Sequence, residues 1–300
     1  MKKHDNFFEM VKDWTVNDYR TQKAKAEIIV DMMISEFVEE VVEYKLNQNE
    51  KERKNKPKLI AKEFPISREG QLKLTGPIIE RIKQGEITSK ELGTRQYANV
   101  DYLLKDDNTI YLVELKTTDE SVAGEQLLNM VCTCKAGGES LYYRFYDLVV
   151  NYALKEKPND LKTKKYLYTL KFMNDLLNDK EDISCFGEVR DQNTELWKKQ
   201  VNAAKNVMEK TFGNFKGCKI KIIYLVLDSS TQGKIIKEKN DMGLALDCID
   251  QIVVLEDLIK CKEFTNGFKD DDRCNLWKDT EAILKLLLQK ERLWFMDDKS

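Results

Sequence analysis

The chain has 300 residues but a single histidine, His4, only four prolines, and no apolar run long enough to span a bilayer. With His4 beside the N-terminus, Ser–His and Cys–His nucleophile chemistry is close to excluded. Glycine is also scarce, and Gly124, Gly137-Gly138 and Gly187 fit neither nucleotide-cradling fingerprint. Neither sign of charge dominates: fifty Lys and Arg face fifty-two Asp and Glu, for a net charge of −2. That balance excludes a basic coat over the whole surface but permits a local basic groove. The seven cysteines are odd in number, and only Cys132 and Cys134 lie close together. No second pair answers them at zinc spacing, so free thiols in a reducing cytoplasm are expected. The opening Met1-Lys2-Lys3-His4-Asp5-Asn6 lacks the apolar stretch of a secretion signal.

What is present is a core-sized apolar fraction, 42%, under a heavily charged surface. Ile29, Met33, Phe37, Val41 and Tyr44 recur at three- and four-residue steps and predict one long helix from about 22 to 46. A charged stretch from Asn47 to Lys58 follows, in which Pro57 ends any helix, and Leu59 to Ile66 reads as a strand. Gly76-Pro77 is expected to open a short helix reaching about Gln84. Two strands, Tyr97–Lys105 and Thr109–Thr117, flank Asp106-Asp107-Asn108. A helix from Ser121 to Cys134 should stop at Gly137-Gly138. Residues 139–215 read as a helical insertion, Lys219–Leu227 as a strand buried on both faces, and Ile252–Leu255 as a shorter strand. Helices close the chain over about 258–300. Strands interleaved with helices predict one mixed α/β domain over 1–300.

The hairpin carries the chemistry. A two-residue loop, Asp107-Asn108, would adopt the positive φ of a tight hairpin turn and make paired residue numbers sum to 215. Asp101 then falls opposite Glu114 with Cβ atoms roughly 5 Å apart, and Lys116, two residues on, shares their face. Two carboxylates so close repel unless a cation joins them, and hard oxygen ligands select Mg²⁺ or Mn²⁺. Such an ion polarises a phosphodiester and acidifies bound water, while Lys116 would orient the attack or stabilise developing charge. A one-residue slip in register would send Asp101 to the other face.

Asp101 followed by Glu114-Leu115-Lys116 at the end of an apolar strand resembles the PD-(D/E)xK nuclease superfamily. The motif covers about twenty residues, and the order of elements extends the likeness to about two hundred. The resemblance implies a restriction-endonuclease-like αβββαβ core with a mixed central sheet. It implies metal held by Asp101, Glu114 and the Leu115 carbonyl, with Lys116 as catalytic lysine. Members often add a first-helix glutamate; Glu36, Glu39, Glu40 and Glu43 compete, with Glu36 preferred for its apolar neighbours Met32, Met33 and Phe37. Val100 replaces the usual proline before the aspartate. Gln126 matches a residue of RecB-like members, but Met130 stands where their tyrosine follows. The implied activity is Mg²⁺- or Mn²⁺-dependent phosphodiester hydrolysis, DNA being the implied partner, in defence or DNA processing, with a homodimer as one way to cut both strands. The competing expectation is a non-catalytic nucleic-acid-binding or protein-interaction module on the same fold.

Three further segments are read against simpler explanations. Residues 140–177 interleave aromatics with lysines, which suits either a base-stacking groove or a helical pair filling its own core. Asp270-Asp271-Asp272 lacks the ligand spacing of a calcium loop. Asp228-Ser229-Ser230 needs no role beyond a turn or helix cap.

Overall fold

In the computed structural model, residues 23–49, 56–66, 98–156, 161–184, 186, 194–213, 215, 217–241 and 249–297 are described. The chain enters through α1 (Lys23–Ile34) and α2 (Val38–Asn49). Three antiparallel strands follow: β1 (Lys58–Ile66), β2 (Ala98–Lys105) and β3 (Thr109–Lys116). A long helical excursion then runs through α3 (Gly124–Tyr146), the wider π-helical turns of Asp147–Glu156, α4 (Leu161–Leu176) and α5 (Glu195–Phe212). It returns to β4 (Lys219–Val226), parallel to β3, and α6 (Ser229–Asp241) leads to β5 (Ile249–Val254), parallel to β4. The chain continues through α7 (Leu255–Leu258), α8 (Lys262–Asn266) and α9 (Asp271–Asp297). The strands lie side by side in chain order, giving a five-stranded mixed sheet.

Both faces of this sheet are buried, which is why β3 and β4 are nearly continuous apolar runs. On one face, Ile110, Leu112, Ile220 and Ile222 pack with Val131, Phe145, Val207 and Phe212. On the other, Tyr111, Val113, Leu115, Ile223 and Leu225 pack with Ile34, Phe37, Val41, Trp277 and Leu284. The architecture is thus helices, sheet, helices. Among the described residues no helix is long and apolar enough to cross a membrane.

The expected single first helix is two. The chain turns at Ser35-Glu36-Phe37, where the Ser35 hydroxyl donates to the Met32 carbonyl at 3.1 Å and the Phe37 amide to the Ile34 carbonyl at 2.8 Å. The break coincides with tertiary packing: the Phe37 ring meets Trp277 of α9 edge to face, and the Arg273 guanidinium lies over the Phe37 ring at 4.8 Å. A 3.6-residue pattern cannot register such a break, because the apolar spacing continues through it.

Gly137-Gly138 also acts differently from the expected stop. Helical structure resumes after Gly137, whose φ of 81° suits glycine, and the chain continues to Tyr146. A Cβ at Gly138 would meet the Phe215 carbonyl oxygen at 2.7 Å, so the second glycine lets α3 pass close to the segment before β4. The aromatic-rich stretch mostly fills the core: Tyr142, Tyr143, Phe145, Tyr152 and Tyr166 are buried, and Tyr142 stacks on Phe215 with centroids 4.0 Å apart. Asp228 caps α6 by accepting from the Thr231 amide at 2.9 Å, and Asp270 accepts from the Asp272 amide at the start of α9. The helix expected from Gly76-Pro77 lies outside the described residues, as do His4, Cys185 and Cys248. Among the described cysteines, Cys132, Cys261 and Cys274 are free thiols, and Cys134 Sγ donates to the Ile220 carbonyl at 2.7 Å.

Candidate metal and phosphodiester site

The site begins with the hairpin register. Tyr102 pairs with Val113, Leu103 with Leu112, Leu104 with Tyr111 and Lys105 with Ile110, each summing to 215 as expected. The loop reaches this register by another route than positive φ, which neither Asp107 nor Asn108 adopts. Asp106 organises it instead, its Oδ1 accepting from the amides of Asn108 at 3.0 Å and Thr109 at 2.7 Å. Its Oδ2 accepts from the Tyr111 hydroxyl at 2.8 Å.

The registered ladder ends at Tyr102–Val113, one step before Asp101 and Glu114. There the Asp101 carboxylate takes up the β3 edge: its Oδ2 accepts from the Leu115 amide at 2.6 Å. A strand residue points its N–H and C=O to the same side, so the Leu115 carbonyl also faces β2 at this opening. The strands depart from simple alternation at the same level. Val100 and Phe64 belong to the core under α3, whereas Tyr102 belongs to the opposite core. Glu63, flanked by the pairs Lys62–Tyr102 and Phe64–Val100, has φ of 51°, a left-handed conformation unusual for a side-chain-bearing residue.

On β3, Glu114 and Lys116 are 2% and 6% exposed. Lys116 Nζ donates to Glu114 Oε1 at 2.6 Å, and Gln126 Nε2 of α3 donates to the same oxygen. Glu114 Oε2 is buried with no hydrogen-bond partner. Tyr224 of β4 is registered beside Glu114, and burial together with that neighbouring carboxylate pushes its hydroxyl pKa well up. Burial likewise raises Glu114 itself, against the lowering effects of Lys116 and Gln126. Asp101 is pushed up to about 8, first by burial and then by the charge of Glu114, while the Leu115 amide and Lys116 pull the other way.

Asp101, Glu114, Leu115 and Lys116 are therefore brought together, with Gln126 as a direct partner of Glu114. The four first-helix glutamates are placed elsewhere. Glu36 is exposed in the turn between α1 and α2, where its carbonyl accepts from Arg273 at 2.6 Å. Glu39 accepts from the Leu59 amide at 2.7 Å, Glu40 pairs with Arg273, and Glu43 pairs with Lys56 at 2.7 Å. The apolar neighbours Met32, Met33 and Phe37 favour an inward Glu36, but the turn at Ser35-Glu36-Phe37 leaves its side chain exposed. Glu27 of α1 is the helical carboxylate whose charge bears on Glu114. One turn on, Asp31 accepts from the Tyr102 hydroxyl, so an i, i+4 pair of carboxylates was the signal available in the sequence.

Among the described residues, no three His, Cys, Asp or Glu side chains form a ready metal cluster. The donors that do converge are hard oxygens on two carboxylates. An orphaned buried oxygen such as Glu114 Oε2 is what a hard divalent cation would satisfy, so this donor set fits Mg²⁺ or Mn²⁺. No protein-family model matches the chain, and no curated protein or solved structure gives a significant match.

Proposed function

We propose that this protein is a divalent-metal-dependent phosphodiesterase acting on DNA, built on a PD-(D/E)xK nuclease-like core. The observation that carries the reading is the meeting of Asp101 and Glu114 at the end of the β2–β3 ladder, with a partnerless Glu114 oxygen and Lys116 beside it. The order helix, three antiparallel strands, helix, parallel strand supports it further.

Asp101, Glu114 and the Leu115 carbonyl would hold the cation, with Glu27, the helical carboxylate whose charge bears on Glu114, a candidate to join them. The cation would supply Lewis-acid polarisation of the phosphodiester and a more acidic bound water. Gln126 and Lys116 share one oxygen of Glu114 and so hold that carboxylate in place. Lys116 keeps a fixed positive charge beside the position where phosphate charge develops. The buried setting strengthens that interaction relative to bulk water.

The test is cleavage of linear, circular and single-stranded DNA with Mg²⁺, Mn²⁺ or EDTA, for the native chain, Asp101→Ala and Lys116→Ala. Metal-dependent cutting lost in both variants is the expected result. Full cutting by either variant would sink the assignment. Mn²⁺ binding that disappears in Asp101→Ala, without cleavage of any substrate, would favour a binding module instead.

A further inference from the structure

The aromatics of residues 140–177 are mostly inside the core, with one conspicuous departure. Tyr168 on α4 is 68% exposed, the most exposed large hydrophobic side chain among the described residues. Lys164 and Lys171, also exposed, stand four residues before and three after it, so all three share one helical stripe roughly 10 Å long. Asp175 continues the stripe and is paired with Lys180 at 3.5 Å, leaving the Lys-Tyr-Lys portion basic.

This stripe lies alongside the strands of the candidate site. Lys165, next on the same helix, donates to Glu63 at 2.9 Å. Glu63 occupies the β1 position between the pairs that bracket Asp101, and its charge contributes to the raised pKa of Asp101. Lys62 sits 5.8 Å from the Phe172 ring centroid, a second tie between α4 and β1. α4 is therefore anchored to β1 at the level where β2 presents Asp101, while its Lys-Tyr-Lys stripe faces solvent.

We propose that the Lys164–Tyr168–Lys171 stripe is a docking surface for single-stranded DNA, stacking a base on Tyr168 and pairing phosphates with the two lysines. The proposal rests on the phosphodiesterase reading and supplies its substrate class. Charge complementarity argues for a polyanion, since the stripe is basic on a chain of net charge −2. The exposed ring between the cations argues for unstacked bases, which duplex DNA does not offer. An acidic protein segment would use the lysines but gain little from the aromatic face.

The test is equilibrium binding, in EDTA, of a fluorescein-labelled oligothymidine about twenty nucleotides long. Tyr168→Ala should weaken binding by about tenfold and Tyr168→Phe should restore it. Lys164→Ala with Lys171→Ala should reduce the slope of log K against log salt by roughly 1.4, two phosphate contacts' worth. Binding of a duplex of equal length should be insensitive to Tyr168→Ala. The proposal is overturned if the native chain does not bind, if Tyr168→Ala binds as tightly, or if polyglutamate displaces the oligonucleotide with equal affinity. Because Tyr168 is solvent-facing, its replacement leaves the fold intact. Cleavage of the same oligonucleotide with Mg²⁺ separates the two readings. Tyr168-dependent binding without cutting supports the stripe and rejects the phosphodiesterase, whereas cutting with Tyr168-independent binding rejects the stripe alone.

Discussion

Lys116 Nζ lies 2.6 Å from one carboxylate oxygen of Glu114, while the other oxygen of that carboxylate is buried without a partner. The pair is almost wholly out of water, so each charge depends on the other. Glu114→Gln would leave the Lys116 ammonium unpaired in the interior, a change that typically costs about 3–5 kcal/mol. A drop in urea-unfolding free energy of that order is expected. Glu114→Gln with Lys116→Met should recover most of it, because the second change removes the stranded charge. A double variant no more stable than Glu114→Gln alone would show that the ion pair is not what holds this strand end.

Asp101 should behave in the opposite way. Its pKa of about 8 lies above the usual 3.8, so between those values the folded chain binds more protons than the unfolded one. Stability then falls as pH rises across that window, and the contribution present below pH 3.8 is fully lost above about 8. Asp101→Asn keeps an acceptor for the Leu115 amide and removes the charge. In metal-free buffer it should stabilise the protein by about 1 kcal/mol or more at pH 9, with little effect at pH 4. Thermal unfolding at the two pH values measures this, and equal effects at both would remove the electrostatic account of Asp101.

Much of this site was legible because hairpin register is arithmetic. Once Asp106 faces Thr109, the sum of 215 places Asp101 and Glu114 together. Only the loop's means differed, an Asp106 carboxylate doing the work expected of positive φ. Residues that arrive from other elements were harder to place. The charge of Glu27 bears on Glu114 and Tyr224 is registered beside it through helix and strand packing that no local spacing encodes. Glu36 lies away from its expected place for a related reason: Phe37 packs on Trp277, distant in sequence, and the turn beside it is invisible in the apolar period. The sheet strands were recovered because β-branched and apolar density survives without partners, whereas helix breaks are decided by the partner.

Gly138 offers a test of the packing between α3 and the segment that precedes β4. Its absent side chain would meet the Phe215 carbonyl at 2.7 Å, Cys218 Cβ at 3.2 Å and Ile110 Cδ1 at 3.3 Å. Backbone on one side and core on the other leave little room to yield. Gly138→Ala should destabilise by about 1–3 kcal/mol, although alanine is the better helix former. Gly137→Ala meets no neighbour but must adopt φ of 81°, so its cost of roughly 1 kcal/mol comes from backbone conformation instead. A neutral or stabilising Gly138→Ala, read by denaturant unfolding, would mean that α3 can shift away from Phe215.

Metal binding gives the sharpest link between the electrostatics and the proposed chemistry. A cation requires deprotonated carboxylates, and both Asp101 and Glu114 have raised pKa values. Protons must therefore leave as metal enters. Mg²⁺ affinity should rise with pH by about tenfold per unit if one proton is displaced, then level off above about 8, where Asp101 is already ionised. Stabilisation should follow the same curve, reaching about 2.7 kcal/mol when free Mg²⁺ is a hundredfold above its dissociation constant. Because the metal-free chain loses stability over the same pH range, added Mg²⁺ should flatten the pH profile rather than simply lift it. Asp101→Asn should lack both the metal response and the slope. Calorimetric titration with Mg²⁺ across pH 6 to 9, in two buffers of different ionisation enthalpy, reads the displaced protons directly. Affinity independent of pH, or retained in Asp101→Asn, would place the cation on groups other than this pair of carboxylates.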